Sequence, residues 1–122
     1  IGHPAMARNI PLSFLNYDWD AGKKKPVMAI NPDFVAQVKA IAKPTDIIIV
    51  TCRSGNRSAP ATNLLADAGF KTVYHIVDGV EGDKVSDPDN VFHGKRMKNG
   101  WKNSGLPWTY ALDPELMFLE EK

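Results

Sequence analysis

Residues 47–50 read Ile-Ile-Ile-Val, a continuous β-branched run. Branching at Cβ favours extended backbone, and an apolar run without alternation predicts a strand buried on both faces of a parallel sheet. After seven intervening residues the pattern changes period. Ser58 can cap a helix carrying Ala59, Ala61, Leu64, Leu65 and Ala68, with Pro60 tolerated in its first turn and Gly69 just past its end. Val73 to Val77 then returns to strand-like residues. Strand, helix and strand in this order predict an α/β domain.

Between that strand and that helix lies Cys52, the chain's only cysteine. It faces a helix start, where unpaired N–H groups and the macrodipole favour an anion such as a thiolate or a persulfide. Arg53 and Arg57 are expected to add positive potential and to pull the thiol pKa below its free value. Ser54, Gly55 and Asn56 are small enough for the backbone to curl into a cradle, with Gly55 free to take a positive φ. A lone cysteine is ordinarily a small buried hydrophobe. Arg, Ser, Gly, Asn, Arg and Ser in succession would make a poor wall for an apolar core, so Cys52 reads as a nucleophile.

The stretch V-T-C-R-S-G-N-R-S-A-P, from Val50 to Pro60, resembles the active-loop segment of the rhodanese-like sulfurtransferases. Their loop has six residues starting at the nucleophilic cysteine, here Cys52, Arg53, Ser54, Gly55, Asn56 and Arg57, and Ser58 follows as it often does in single-domain members. The segment I-G-H-P-A-M-A-R-N-I-P-L is similar to the family's Gly-His-x-x-x-Ala-x-x-Ile-Pro stretch through Gly2, His3, Ala7, Asn9, Ile10 and Pro11. The later G-W-K-N-S-G-L-P-W-T-Y resembles the tail of bacterial single-domain members that are commonly exported, which points toward a periplasmic home.

The resemblance implies a three-layer rhodanese-like α/β domain with a mainly parallel central sheet. It also implies transfer of sulfane sulfur in two steps. Cys52 takes sulfur from thiosulfate or a similar small anionic donor, holds it as a persulfide against the N–H groups of Arg53 to Ser58, and passes it to cyanide or a thiol. Arg57 is expected on the donor's anionic oxygens and Arg53 at the loop rim, with Ser54, Gly55, Asn56 and Ser58 completing the substrate-binding loop. No cofactor and no metal are implied. The alternative from another class is a carrier or interaction module that presents a Cys52 persulfide to a partner protein.

Loop length argues against cysteine phosphatases and arsenate reductases, which place five residues between Cys and Arg. Here Ser58 holds the position of that arginine, so a larger oxyanion would lack its bidentate clamp. Two features depart from the family pattern. Its preceding strand with an Asp-x-Arg turn is absent ahead of the Gly-His segment, which suggests an N-terminally incomplete domain. After residues 73–77, where two adjacent glycines and then a tryptophan are frequent, this chain reads Val77, Asp78, Gly79, Val80, Glu81, Gly82.

Elsewhere, Asn31 is expected to cap a helix opened by Pro32 and Asp33 whose buried face is Phe34, Val35, Val38 and Ile41. Asn16 to Pro26, with three consecutive lysines, reads as a solvent loop. Residues 79–100, rich in Gly, Asp, Asn and Lys, read as a surface excursion near the active loop. His3 is expected in a turn and His75 in a strand. Residues 101–122 carry Trp101, Trp108, Tyr110, Met117 and Phe118, expected as an arm with a helix starting at Asp113, Pro114 and Glu115. That arm would pack over the sheet, or else cover a partner subunit or the neighbouring active site; a second copy of the chain or an acceptor protein is the partner class in view.

The chain's 122 residues, 43% hydrophobic, can bury one modest core but not two. A net charge of +1 leaves no electrostatic footprint for nucleic acid. The longest apolar run is far short of the roughly 20 residues that span a bilayer. Glu81, Asp83, Asp87 and Asp89 do not match a calcium loop, and His3, His75 and His93 lack zinc-site spacing.

Overall fold

The computed structural model describes residues 2–118; Ile1 of the Gly-His segment and residues 119–122 of the expected arm lie outside them. Along the chain run β1 (His3–Pro4), β2 (Ser13–Asp20), β3 (Lys25–Ile30), α1 (Phe34–Lys39), β4 (Ile47–Val50) and α2 (Ser58–Asp67). Then follow β5 (Thr72–His75), β6 (Asp83–Lys84), β7 (Arg96–Lys98), α3 (Gly100–Asn103) and β8 (Trp108–Thr109).

β4 and β5 pair in parallel with Val50 opposite His75, joined by α2. Instead of one mainly parallel sheet, the described residues form four two-stranded pairings, and β1–β8, β2–β3 and β6–β7 are antiparallel. β4 is also not buried on both faces: Ile47 and Ile49 are 73% and 64% exposed. Ile48 and Val50 point the other way and pack on the core of Phe34, Val38, Ala61, Leu65 and Phe70. The reason is the period of two in a strand, with α1 and α2 contributing to a core on one face only.

α1 places Phe34 and Val38 in that core with Val35 beside them, but Ile41 lies beyond the helix end and is half exposed. The cap position of α1 is Asp33, not Asn31. Asn31 is buried and ties the helix start to the chain before β2: its Nδ2 donates to the Pro11 carbonyl at 2.8 Å and to Gln37 Oε1 at 2.9 Å, while its Oδ1 accepts from Asp33 N–H at 3.0 Å.

The loop expected over Asn16 to Pro26 is instead most of an antiparallel hairpin, β2–β3, and the lysines sit at its tip and the start of β3. Asp20 Oδ1 accepts the Lys23 N–H at 3.1 Å, and Lys24 adopts φ +51. The side chain of Asp20 thus closes a turn that the run of charge disguised. His3 is a strand residue rather than a turn residue: β1 pairs with β8, His3 opposite Thr109 and Pro4 opposite Trp108. In place of the helix expected at Asp113 there is a turn, in which Leu116 N–H bonds Asp113 O at 3.0 Å. No helix among the described residues is long and apolar enough to cross a membrane.

Candidate active site

Cys52 stands two residues beyond β4, where the chain curls back before entering α2. Its Sγ accepts hydrogen bonds from Gly55 N–H at 3.1 Å and Ser58 N–H at 3.4 Å, and Ser58 Oγ lies 3.6 Å away. The donors converge because Gly55 takes φ +101, with its Cα pressed so close to the Val77 carbonyl that a Cβ would collide with it. Only glycine allows that combination.

Residues 76–82 support the loop from behind. Val80 N–H donates to Cys52 O at 2.8 Å and Glu81 N–H to Arg53 O at 2.9 Å. Trp101 and Lys102 at the start of α3 in turn donate to Gly79 O and Val80 O at 3.1 and 2.9 Å. With the loop's first carbonyls satisfied from outside, its later N–H groups remain available to the sulfur. Gly79, at φ +70, touches the Arg53–Ser54 backbone so closely that a side chain there would displace the loop.

The helix start contributes less than an open N-terminus would. Arg57 occupies the cap position and Ser58 is the first helical residue. Ala59 N–H is bonded to Gly55 O and Ala61 N–H to Arg57 O, while Pro60 has none to offer. Ser58 N–H is the direct contribution of the helix backbone to Sγ among the described contacts, beside the Ser58 hydroxyl.

Burial raises the Cys52 pKa, but the Ser58 hydroxyl and the N–H groups of Ser58, Arg57 and Gly55 outweigh it and lower the thiol to about 7. The expected contribution of two guanidinium groups is replaced by these hydrogen bonds. Arg53 and Arg57 are exposed, where water screens their charge, and Arg57 acts on the sulfur through its backbone. Both arginines nevertheless line, with Cys52, an open cleft of about 660 Å³ whose rim also carries Arg8, Glu81 and Asp113. Ser54, Gly55 and Asn56 do not line the cleft.

Sequence reasoning left one neighbour out. His75, at the end of β5, places Nδ1 3.2 Å from Ser58 Oγ. The register of β5 against β4 brings it there, across 17 residues of chain that carry no local signal of the contact. Among the described residues no group of three or more His, Cys, Asp or Glu is placed to hold a metal ion.

A cysteine sulfur held by converging N–H groups at a strand-to-helix junction is the arrangement expected of a thiolate-dependent α/β enzyme loop, and comparison with known proteins specifies it. The chain belongs to the rhodanese-like domain family, whose model matches residues 1–84. It is 35% identical over 83 residues to the uncharacterized protein RC0915 of Rickettsia conorii, covering 66% of this chain and 58% of that protein. It is 41% identical over 78 residues to thiosulfate sulfurtransferase 16, chloroplastic, of Arabidopsis thaliana, covering 64% and 58%. A crystal structure of Rv0390 from M. tuberculosis superposes with a TM-score of 0.55 at 34% identity, over 68% of this chain and 57% of that one. The match thus spans a little over half the length of these relatives. The fold is rhodanese-like α/β, and sulfurtransferase activity is supported at the level of the family.

Proposed function

We propose that this chain moves sulfane sulfur from thiosulfate, or a donor of the same small anionic class, to a thiophilic acceptor through a persulfide on Cys52. The observation that carries this reading is the pair of N–H groups, from Gly55 and Ser58, that converge on Sγ beside an arginine-lined cleft. In the first step the thiolate attacks the outer sulfur of thiosulfate. The donor's S–S bond breaks, its electron pair leaves with sulfite, and the persulfide anion inherits the hydrogen bonds of the cradle. In the second step cyanide or a thiolate attacks the terminal sulfur, and the Cys52 thiolate is released. Charge and atoms balance in both steps without a redox partner.

Arg57 is assigned to the donor's sulfonate oxygens, where a planar guanidinium can pair two of them. Arg53 is assigned to the rim. The loop residues Ser54, Gly55 and Asn56 set the curvature, and Ser58 supplies both an N–H and a hydroxyl to the sulfur.

Thiosulfate:cyanide turnover by this chain and by Cys52→Ser tests the proposal. Thiocyanate formation is expected from the first and none above background from the second, and donor-treated protein should gain about 32 Da on Cys52. A persulfide that forms without turnover would make the chain a sulfur carrier rather than an enzyme. A folded chain that shows neither would overturn the assignment.

A further inference from the structure

Ser58 is 1% exposed, and its hydroxyl has a single proton for three neighbours. They are the Gly55 carbonyl at 3.1 Å, His75 Nδ1 at 3.2 Å and Cys52 Sγ at 3.6 Å. The carbonyl can only accept. A neutral thiol can donate to Oγ, which leaves the hydroxyl proton for Gly55 O. A thiolate cannot donate, and an oxygen lone pair turned toward it would repel, so the anion gains from Ser58 only when the hydroxyl proton points to sulfur.

That constraint passes on to the imidazole. An unprotonated Nδ1 would compete with the sulfur for the serine proton. A protonated Nδ1 donates to Oγ instead and cannot compete. We infer that His75 is a positioning residue for Cys52: by donating Nδ1–H to Ser58 Oγ, it leaves only the Gly55 carbonyl and the sulfur to compete for the serine proton, and the charged acceptor takes it when the sulfur is anionic. This rests on Cys52 being the working thiolate, and it would hold equally for the persulfide anion.

The geometry is held from several sides. The Val50–His75 pairing sets the imidazole beside the loop, and Thr62 Oγ1 donates to Ser58 O at 2.8 Å, anchoring the first turn of α2. The other titratable and charged groups around the cleft are His3, Arg8, Arg53, Arg57, Glu81 and Asp113. No side-chain hydrogen bond from these six to Sγ or to Ser58 Oγ is present among the described contacts.

The test is the rate of Cys52 alkylation by iodoacetamide as a function of pH, which needs no sulfur donor and so stands apart from turnover. His75→Phe is expected to alkylate about fivefold more slowly than the unmodified chain at pH 7, with the same plateau near pH 10 where every thiol is ionised. His75→Gln, whose amide falls near the place of Nε2 and not of Nδ1, should behave likewise. His75→Asn, whose amide can occupy the place of Nδ1, should restore the original profile. In a Ser58→Ala background, His75→Phe should change nothing further. An unshifted profile in both His75→Phe and His75→Gln overturns the inference, as does an undiminished effect when Ser58 is already alanine, or failure of His75→Asn to rescue. Loss of thiosulfate turnover with this alkylation pattern intact would count against the sulfur-transfer reading and leave the role of His75 standing.

Discussion

At the scale of single residues, the site rests on hydrogen bonds to one sulfur rather than on nearby charge. This fixes the sign of its pH dependence. Cys52 has its pKa lowered to about 7, against the balance of burial, by donors that favour the anion. Its alkylation, and the first step of the sulfur transfer we propose, should therefore rise as pH increases through about 7 and level off above it. A free thiol would still be climbing at about 8.5. Folding is linked in the same sense: the thiolate's hydrogen bonds stabilise the fold fully above the free-thiol pKa, and that contribution is lost as pH falls through about 7. A stopped-flow alkylation profile with its midpoint near 8.5 would show that the cradle does not favour the anion. The loop that holds Cys52 was legible in the sequence because local composition carries it: small residues, a strand before and a helix after. His75 was not, because strand register and not local sequence brings it to Ser58.

At the scale of elements, α2 connects the core to the chemistry. Its inward face puts Ala61 and Leu65 among Phe34, Val38 and Phe70, while its first residue supplies Ser58 to the sulfur. Leu65, at 1% exposure, has no solvent-facing route to relax into, so Leu65→Ala should leave a cavity and cost about 2–5 kcal/mol. Urea unfolding would read this as a lower midpoint with an unchanged slope. Because Leu65 lies two turns from the loop, alkylation of Cys52 at low temperature should keep its rate and its pH midpoint. A shifted midpoint would mean that packing of α2 sets the sulfur's environment as well as its support. The helix could be read from its apolar positions, whereas hairpin β2–β3 could not. Three lysines and a glycine near its tip suggested solvent, and the turn depends on one carboxylate, Asp20, closing on Lys23.

At the scale of the whole molecule, residues 2–9 and 105–118 form one clasp along the cleft. Ala5 N–H bonds Pro107 O at 3.2 Å, Asn9 N–H bonds Leu116 O at 2.7 Å, and His3 Nε2 lies 2.8 Å from the Ala111 carbonyl. Trp108 is the packing centre of this clasp. Its indole lies over Gly2, where a Cβ would overlap it, with Tyr110 edge-on at 6.4 Å between ring centroids and the Lys102 ammonium 5.9 Å from its ring. The contacts of Gly2, His3 and Pro4 with Trp108, Thr109 and Ala111 join segments about a hundred residues apart, so the sequence marked the aromatic mass but not what it would meet. The clasp is built outside the core that holds β4, α2 and β5, and it should open on its own. Trp108→Ala is expected to speed hydrogen exchange at the Ala5 and Asn9 amides by at least about tenfold, since a few kcal/mol of packing is removed there. The Ile76 amide, bonded to Val50 O at 3.0 Å just past the end of the parallel pair, should be far less affected. Equal acceleration at all three would place the clasp and the core in one cooperative unit. Arg8, Asn9 and Asp113 of the clasp also line the cleft, so the local outcome predicts a weaker grip on the anionic donor we propose, with the Cys52 alkylation profile unchanged.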